Sequence, residues 1–530
     1  MSANSLAKAS SLMAAGTIVS RITGLIRNLL LVALLGTALL GDTYNVANTM
    51  PNILYNLLVG GALTAVFVPQ IVKSLRDDDG GHAFISRLFT ATVLFLMTLT
   101  LIGIWLAPQI VNIYAPKFKG LPEFDVTVSF MRYCLPQIFF LGVFALLGQI
   151  ANAKGKFGPM MWAPVINNLI VIALFSWYLQ NHDQLTVGNI TSHDIYWLGA
   201  GTSFGYLAQA LILLPVVYRA GIKLSLKFDL HNAQLFRSIK LASWSFLYAL
   251  ISQLSYLVTI IIATSAAVKS ASDGITTGVG YTPYSNAYLI LILPHSIITV
   301  SVMTALLPKL ANLVIDKKLP EISNEITNAI KVVGVFIVPA AMIFLTFGPL
   351  IARNLYFSIS ADDADYVGYT LAGFAIGLVP VSINLILLRG LNAFENLKSQ
   401  VIGNLIMNII SVALSVLAAI FIEPKWVVVA MAVIFTVHYF IGTAISFYLI
   451  SKHKVNLPIP AIVTHYFKLL AIFALSITPL FLLRNQLPGG NLIQLILVLV
   501  ISTAIYLIIG FVFKIKELKS AVRILVSAIR

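Results

Sequence analysis

Two arginines, Arg21 and Arg27, stand six residues apart inside one long apolar stretch near the start of the chain. A guanidinium in such a segment is costly, and residues of this kind face a hydrated cavity or a charged partner. The planar fork of arginine matches the oxygens of phosphate or carboxylate. Six residues on a helix turn the side chains roughly 120° apart. The pair could reach two parts of one cavity, or one member could be structural. The chemistry on offer is the holding of an anion.

Other chemistry is sparse. No G-x-x-x-x-G-K-[ST] loop occurs, so nothing points to nucleotide hydrolysis. The 8 histidines form no H-E-x-x-H or close ligand cluster, and no metal or cofactor is expected. Two acidic groups, Asp77-Asp78-Asp79 and Asp362-Asp363-Asp365, could in principle hold a divalent ion for phosphoryl or glycosyl transfer. Solvated loop charge is the simpler reading of both. Of the 19 acidic residues almost none lies deep in an apolar stretch, and Asp42 sits at the end of the first one. A carboxylate for a coupling ion, usual in ion-driven exporters, is therefore not evident. Among the remaining basic residues in apolar stretches, Lys331 and Lys468 sit near the ends and read as snorkelling side chains. Arg132 reads equally well as a cavity charge or as a snorkelling one.

These residues need a scaffold, and composition supplies its class. The 530 residues are 59% hydrophobic and 10% charged, with a mean hydropathy of +0.93. Soluble domains carry about 25% charged residues. Apolar runs near the length that crosses a bilayer recur throughout. They predict fourteen spans, at roughly 11–40, 43–72, 88–115, 124–152, 158–180, 195–218, 238–267, 280–308, 322–351, 366–388, 399–421, 426–450, 461–483 and 491–513. Pro51, Pro69, Pro136, Pro164, Pro294 and Pro380 fall in or near them, which membrane helices tolerate where neighbours satisfy the freed carbonyls. The one cysteine, Cys134, excludes an internal disulfide and reads as a small core side chain. The first span is interrupted by arginines and has no small-residue cleavage site, so it reads as a retained helix, not a signal peptide.

The net charge of +15 would suggest nucleic acid in a soluble protein. Here it follows the loops. With the N-terminus in the cytoplasm, only Lys117, Lys119, Lys269, Arg353, Lys425 and Arg484 fall on the outer side. Most of the 34 basic residues fall on the inner side, including the tail residues Lys514, Lys516, Lys519, Arg523 and Arg530. This asymmetry predicts a multi-pass protein with both termini cytoplasmic and no nucleic-acid partner.

An internal repeat is visible. Asn152-Ala153-Lys154 corresponds to Asn392-Ala393-Phe394, and Asn168 to Asn408. The run Thr64 to Pro69 resembles Thr304 to Pro308 at about the same offset. The expected plan is all-α, with two pseudo-symmetric six-helix lobes, 1–225 and 226–456, followed by two further spans and a basic tail in 457–530.

At this point the residues resemble a known family. Ser20-Arg21-Ile22-Thr23-Gly24-Leu25-Ile26-Arg27 is similar to the S-R-x-x-G-x-x-R opening helix of the MurJ/MviN family. So are Gly41-Asp42, Met50-Pro51-Asn52-Ile53-Leu54, Gly60-Gly61-Ala62-Leu63 and Phe67-Val68-Pro69. Ala163-Pro164-Val165-Ile166-Asn167-Asn168 resembles the family's A-P-x-x-x-N, and Leu293-Pro294 leading to Leu306-Leu307-Pro308 fits the matching helix of the second lobe. The likeness covers essentially the whole chain. It implies a bacterial inner-membrane flippase for lipid II, the undecaprenyl-diphosphate-linked peptidoglycan precursor, within the multidrug/oligosaccharidyl-lipid/polysaccharide exporter superfamily. It implies two six-helix lobes around a cationic cavity, and two extra helices that form a groove for the lipid tail. By position, Arg21, Arg27 and Asp42 match the family's cavity arginines and acidic residue, and Ser20, Asn52, Pro164 and Asn168 match further cavity-side positions. The implied partners are lipid II, membrane lipids and the cell-wall synthesis machinery.

Two departures stand out. Many members carry arginine where this chain has Tyr55-Asn56, and an aspartate–arginine pair where it has Tyr288-Leu289. The cavity is expected to be less basic than the family norm, which leaves Arg132 as a candidate replacement charge. A flippase for another polyprenyl-diphosphate oligosaccharide is a neighbouring reading. A membrane glycosyl- or phospho-transferase using Asp362, Asp363 and Asp365 is the reading from another class.

Overall fold

The computed structural model describes residues 3–57, 70–182, 184–229, 239–483, 490–513 and 515–518. The motif residues Gly60 to Leu63 and Phe67 to Pro69, the repeat run from Thr64, and the basic residues Arg237, Arg484, Lys514, Lys519, Arg523 and Arg530 lie outside the described residues. All regular structure among the described residues is helical. The chain divides into two compact units, 1–282 and 283–530.

The first unit holds α1 (Ala3–Leu35), α2 (Leu39–Leu57), α3 (His82–Trp105), α4 (Ala107–Tyr114), α5 (Pro122–Cys134), α6 (Gln137–Ala153), α7 (Gly158–Asn181), α8 (Ser192–Leu211), α9 (Leu213–Arg219) and α10 (Ile239–Ser272). In lipid, close approach of helices depends on small residues and on polar contacts. α1 lies along α7 on that principle: a Cβ on Gly16 would come within 2.8 Å of the Trp162 indole nitrogen. Leu135-Pro136 separates α5 from α6, and the Ser203 hydroxyl of α8 donates to the Tyr133 carbonyl beside that break. α3 starts from Gly81 at φ 82°, where Asp79 accepts the N–H groups of Gly81 and Ala83 at 2.8 and 2.7 Å. Those amides, Ala83 first, hold the Asp79 carboxyl below its usual range. α8 opens with a reciprocal cap between Thr191 and Asp194. α10 packs on α2 and α4. Cys134 is buried, as expected of a small core side chain.

The second unit holds α11 (Tyr281–Pro294) from Pro283 on, a π-turn (His295–Thr299), α12 (Val300–Ile315), α13 (Leu319–Leu355), α14 (Ala361–Ala375), α15 (Leu378–Ala393), α16 (Leu397–Phe421), α17 (Pro424–Lys452), α18 (Ile459–Leu482) and α19 (Asn491–Val512). α13 bends at Phe347, two residues before Pro349. There it meets α14 at backbone distance: a Cβ on Gly368 would lie 2.3 Å from the Pro349 Cα. The bidentate Arg353–Asp365 pair closes the same end of these two helices.

Among the described residues twelve helices are long and apolar enough to cross a membrane, or up to 13 with the bent pair α14–α15 counted as one span. Each coincides with one of the fourteen stretches read from sequence. The remaining one, expected at 43–72, is described only as α2 and from Gln70 onward.

Candidate anion-binding site

α1 carries the two arginines on different sides. By helical rotation Gly16, Ser20, Thr23, Gly24 and Arg27 share the side that meets α7, and Arg21 lies at its edge. Arg21 is exposed and Arg27 is half-buried. Neither makes an ion pair among the described residues. Arg27 is close enough for its charge to act on the Tyr44 phenol, whose hydroxyl pairs with Thr202 Oγ1 at 2.7 Å.

Asn168 is the residue that sets α1. Its Nδ2 donates to the Ser20 carbonyl at 3.0 Å and to Thr23 Oγ1 at 3.0 Å. Ser20 thus takes part through its backbone, and the Asn168 amide hydrogens are engaged in holding a helix. Pro164 stands inside α7 one turn earlier, half-buried. It gives that turn no amide hydrogen to return to Met160.

α2 carries a polar stripe that sequence reading took residue by residue and did not join. Asp42, Asn45, Asn48, Thr49, Asn52 and Asn56 fall within an arc of about 120°. Exposure grows along it, from buried Asp42 and Asn45, through half-buried Asn48, Thr49 and Asn52, to exposed Asn56. The stripe is internally bonded: Asn52 donates to the Asn48 carbonyl at 3.1 Å, and Gln137 donates to Asn48 Oδ1 at 3.1 Å. Thr49 pairs with the Tyr281 hydroxyl at 3.0 Å, and Tyr281 in turn with Tyr256. A rotation of 100° per residue over 42–56 is the signal that exposes the stripe in sequence.

Asp42 differs from the family-based expectation of a cavity carboxylate. It is 0% exposed, and its two oxygens accept the N–H groups of Tyr281 at 3.0 Å and Thr282 at 2.6 Å. These are the first two residues of α11, so the carboxylate caps that helix from a partner about 240 positions away. Asn45 adds a bond to Thr282 Oγ1 at 3.0 Å. A Cβ at Gly280 would strike Asp42, which makes glycine necessary there.

Arg132 lies on an exposed face of α5. Pro122, Asp125, Ser129 and Arg132 fall within about 80° of one another, and Arg132 makes no ion pair among the described residues. A stripe with both charges and a serine suits a hydrated surface better than lipid.

Several other groups have structural roles. Lys331 pairs with Glu517 at 3.9 Å, and Glu517 lies 3.9 Å from His465, whose other nitrogen meets the Lys331 carbonyl. Lys331 therefore has a carboxylate partner, and only Lys468, which is exposed, keeps the snorkelling description. Asp79 caps α3 and Asp365 is taken by Arg353, so one carboxylate of each acidic group has a structural role. The departure at Tyr288 has a packing reason in the second unit: its ring meets Phe374 and Phe435 edge-on.

The chain is similar to known proteins along most of its length. A family model described as lipid II flippase MurJ matches residues 31–508. A probable lipid II flippase MurJ from Rhizobium meliloti (strain 1021) is 28% identical over 433 residues, covering 79% of this chain and 76% of the relative. One from Vibrio cholerae serotype O1 is 23% identical over 429 residues, 78% of each. Among solved structures, a lipid II flippase MurJ in an inward closed conformation matches with a TM-score of 0.75 at 19% identity, covering 95% of this chain and 98% of that one. An inward-facing MATE family multidrug transporter of the MOP superfamily matches at 0.63 and 13% identity, covering 84% and 99%. The structural likenesses establish the fold, and the family model spans nearly all of the sequence. The chain belongs to the lipid II flippase MurJ family.

Proposed function

We infer that this protein is a lipid II flippase, a transporter and not an enzyme, which carries the undecaprenyl-diphosphate-linked peptidoglycan precursor from the cytoplasmic to the outer leaflet by alternating access. The family match over residues 31–508 carries this reading. The protein resides in the bacterial inner membrane with both termini cytoplasmic, on the strength of the basic-residue asymmetry. The repeat supports lobes at 1–225 and 226–456 with residues 457–530 appended.

Arg21 and Arg27 hold the diphosphate. They suit it because each offers a fork of donors with no protein carboxylate competing for it among the described residues. Arg132, on its polar stripe, supplies a further positive charge in a chain that lacks the family's other arginines, having Tyr55-Asn56 and Leu289 at those positions. Asn52 lines the path, while Ser20, Pro164 and Asn168 shape it by fixing α1 against α7. Asp42 supports transport by holding the start of α11. Proteins of cell-wall synthesis, which make and consume the lipid, are the natural partners. Depletion in the native host tests the reading. Lipid II should build up on the cytoplasmic leaflet while its synthesis continues, and an unchanged leaflet distribution would exclude the assignment.

A further inference from the structure

Residues 222–229, which follow α9, run as an extended strap along the start of α3. Alternate backbone amides donate to α3 side chains one turn apart: Lys223 to His82 Nδ1 at 3.3 Å, Ser225 to Ser86 Oγ at 3.3 Å, and Lys227 to Thr90 Oγ1 at 2.9 Å. The match is geometric. Two extended residues advance about 6.6 Å and four helical residues about 6.0 Å. At one end Ile222 is buried in the core with Ile85 and Leu88. At the other, Arg87 clasps Asp229 and holds its carboxyl below the usual range.

Among the described residues the opposite edge of the strap has no hydrogen-bond partner. In extended chain the amides of Leu224, Leu226 and Phe228 point away from α3, and none makes a hydrogen bond among the described residues. Leu226 is 60% exposed and Phe228 69% exposed, with Lys223 and Lys227 beside them. The depth of this edge follows from its anchor. Thr90 stands eight residues into α3, about 12 Å along a helix roughly 36 Å long, against a hydrocarbon core near 30 Å. Farther along α3, Leu94, Phe95, Met97 and Leu101 are exposed and apolar, as on a lipid-facing helix. Backbone at this level is tolerated only where its polar groups find partners. α3 satisfies one edge of the strap. The other finds no acceptors among the described residues, and it lies next to two apolar side chains and two cations.

We propose that the strap 222–229 is a binding surface for anionic phospholipids, with Leu226 and Phe228 seated at the acyl boundary and the outer amides, Lys223 and Lys227 meeting headgroup phosphates. The site is separate from the Arg21 and Arg27 region, and only the naming of its leaflet as cytoplasmic rests on the proposed orientation. Each lysine near an anionic surface contributes enough to raise lipid preference about fivefold.

The test uses the full-length protein in vesicles, in a Cys134→Ala background, with nitroxide labels placed singly at Leu226, Phe228 and Asp78. Power saturation compares oxygen with a water-soluble nickel chelate, in phosphatidylcholine vesicles with and without phosphatidylglycerol. At Leu226 and Phe228 oxygen access should exceed nickel access, with the reverse at Asp78. Adding phosphatidylglycerol should deepen the first two labels, and the Lys223→Gln, Lys227→Gln double variant should lose that increment. Unlabelled protein with the same lysine substitutions should still bind fewer anionic lipids, which guards against disturbance by the label. Nickel access at Phe228 equal to that at Asp78 would overturn the proposal. So would exclusion of both reagents, which would mean a protein cover, or equal depth in the two lipids.

Discussion

The Tyr506 hydroxyl stands where the amide hydrogen of Pro339 would have been. It donates to the Val335 carbonyl at 2.9 Å, four residues before that proline, and the bond is buried. Tyr466 donates likewise to a carbonyl of this helix, that of Ile330, at 2.9 Å, although no proline follows four residues on. It passes at Gly334, where a Cβ would lie 2.8 Å from its ring. Two tyrosines from α18 and α19 thus latch onto α13. Tyr506→Phe should destabilise the protein by about 0.6–2 kcal/mol, since it strands a buried carbonyl in an apolar medium. Restoring the amide with Pro339→Ala should shrink that penalty. Thermal unfolding in detergent measures both, and equal penalties in the two backgrounds would mean the proline is not the cause.

Asp42 makes a second prediction. Asp42→Asn keeps one acceptor but turns a donor toward an amide, and should cost about 1.5–3 kcal/mol as a charge-assisted bond is lost. Asp42→Ala should cost more. A carboxylate that only faces substrate would leave the melting temperature unmoved, so the melting temperature separates capping from ligand binding.

Arg21→Ala and Arg27→Ala should each weaken substrate binding about 10- to 100-fold, because charge-assisted bonds contribute roughly 1.5–3 kcal/mol. Each variant should fail to support growth while still accumulating in the membrane. Lysine should rescue only in part, because it lacks the fork. Normal growth of both alanine variants would make these arginines structural.

Topology is open to labelling. A cysteine at Asn189 should react with a reagent that cannot cross the membrane, and one at Lys318 should not. The reverse pattern would place the termini outside.

The driving force gives the fifth prediction. A diphosphate of roughly two negative charges moving outward gains up to about 4–5 kcal/mol at 100 mV, if no charge returns with the carrier. Collapsing the potential at constant pH gradient should slow flipping, and collapsing the pH gradient alone should matter less. Full dependence on a proton or sodium gradient would point to a coupling site that the chain's carboxylates do not advertise.

The spans, the charge asymmetry and the family motifs were all readable in the chain. Hydropathy, loop charge and local spacing act over twenty residues or fewer, and the bilayer forces each long apolar run into a helix whatever its neighbours are. The cost of Arg21 and Arg27 in an apolar segment is local too, and it singles them out as candidates. Partner choice was not readable. Nothing near Asp42 announces that its oxygens belong to Tyr281 and Thr282, and nothing near Lys331 names Glu517. Asn168 looked like a cavity amide until its hydrogens proved to be engaged by Ser20 and Thr23. Proline positions showed which carbonyls would be orphaned, but only packing decided that Tyr506 answers Pro339. A buried polar group must find a partner, and the sequence states the need while the tertiary fold selects which distant side chain comes within reach.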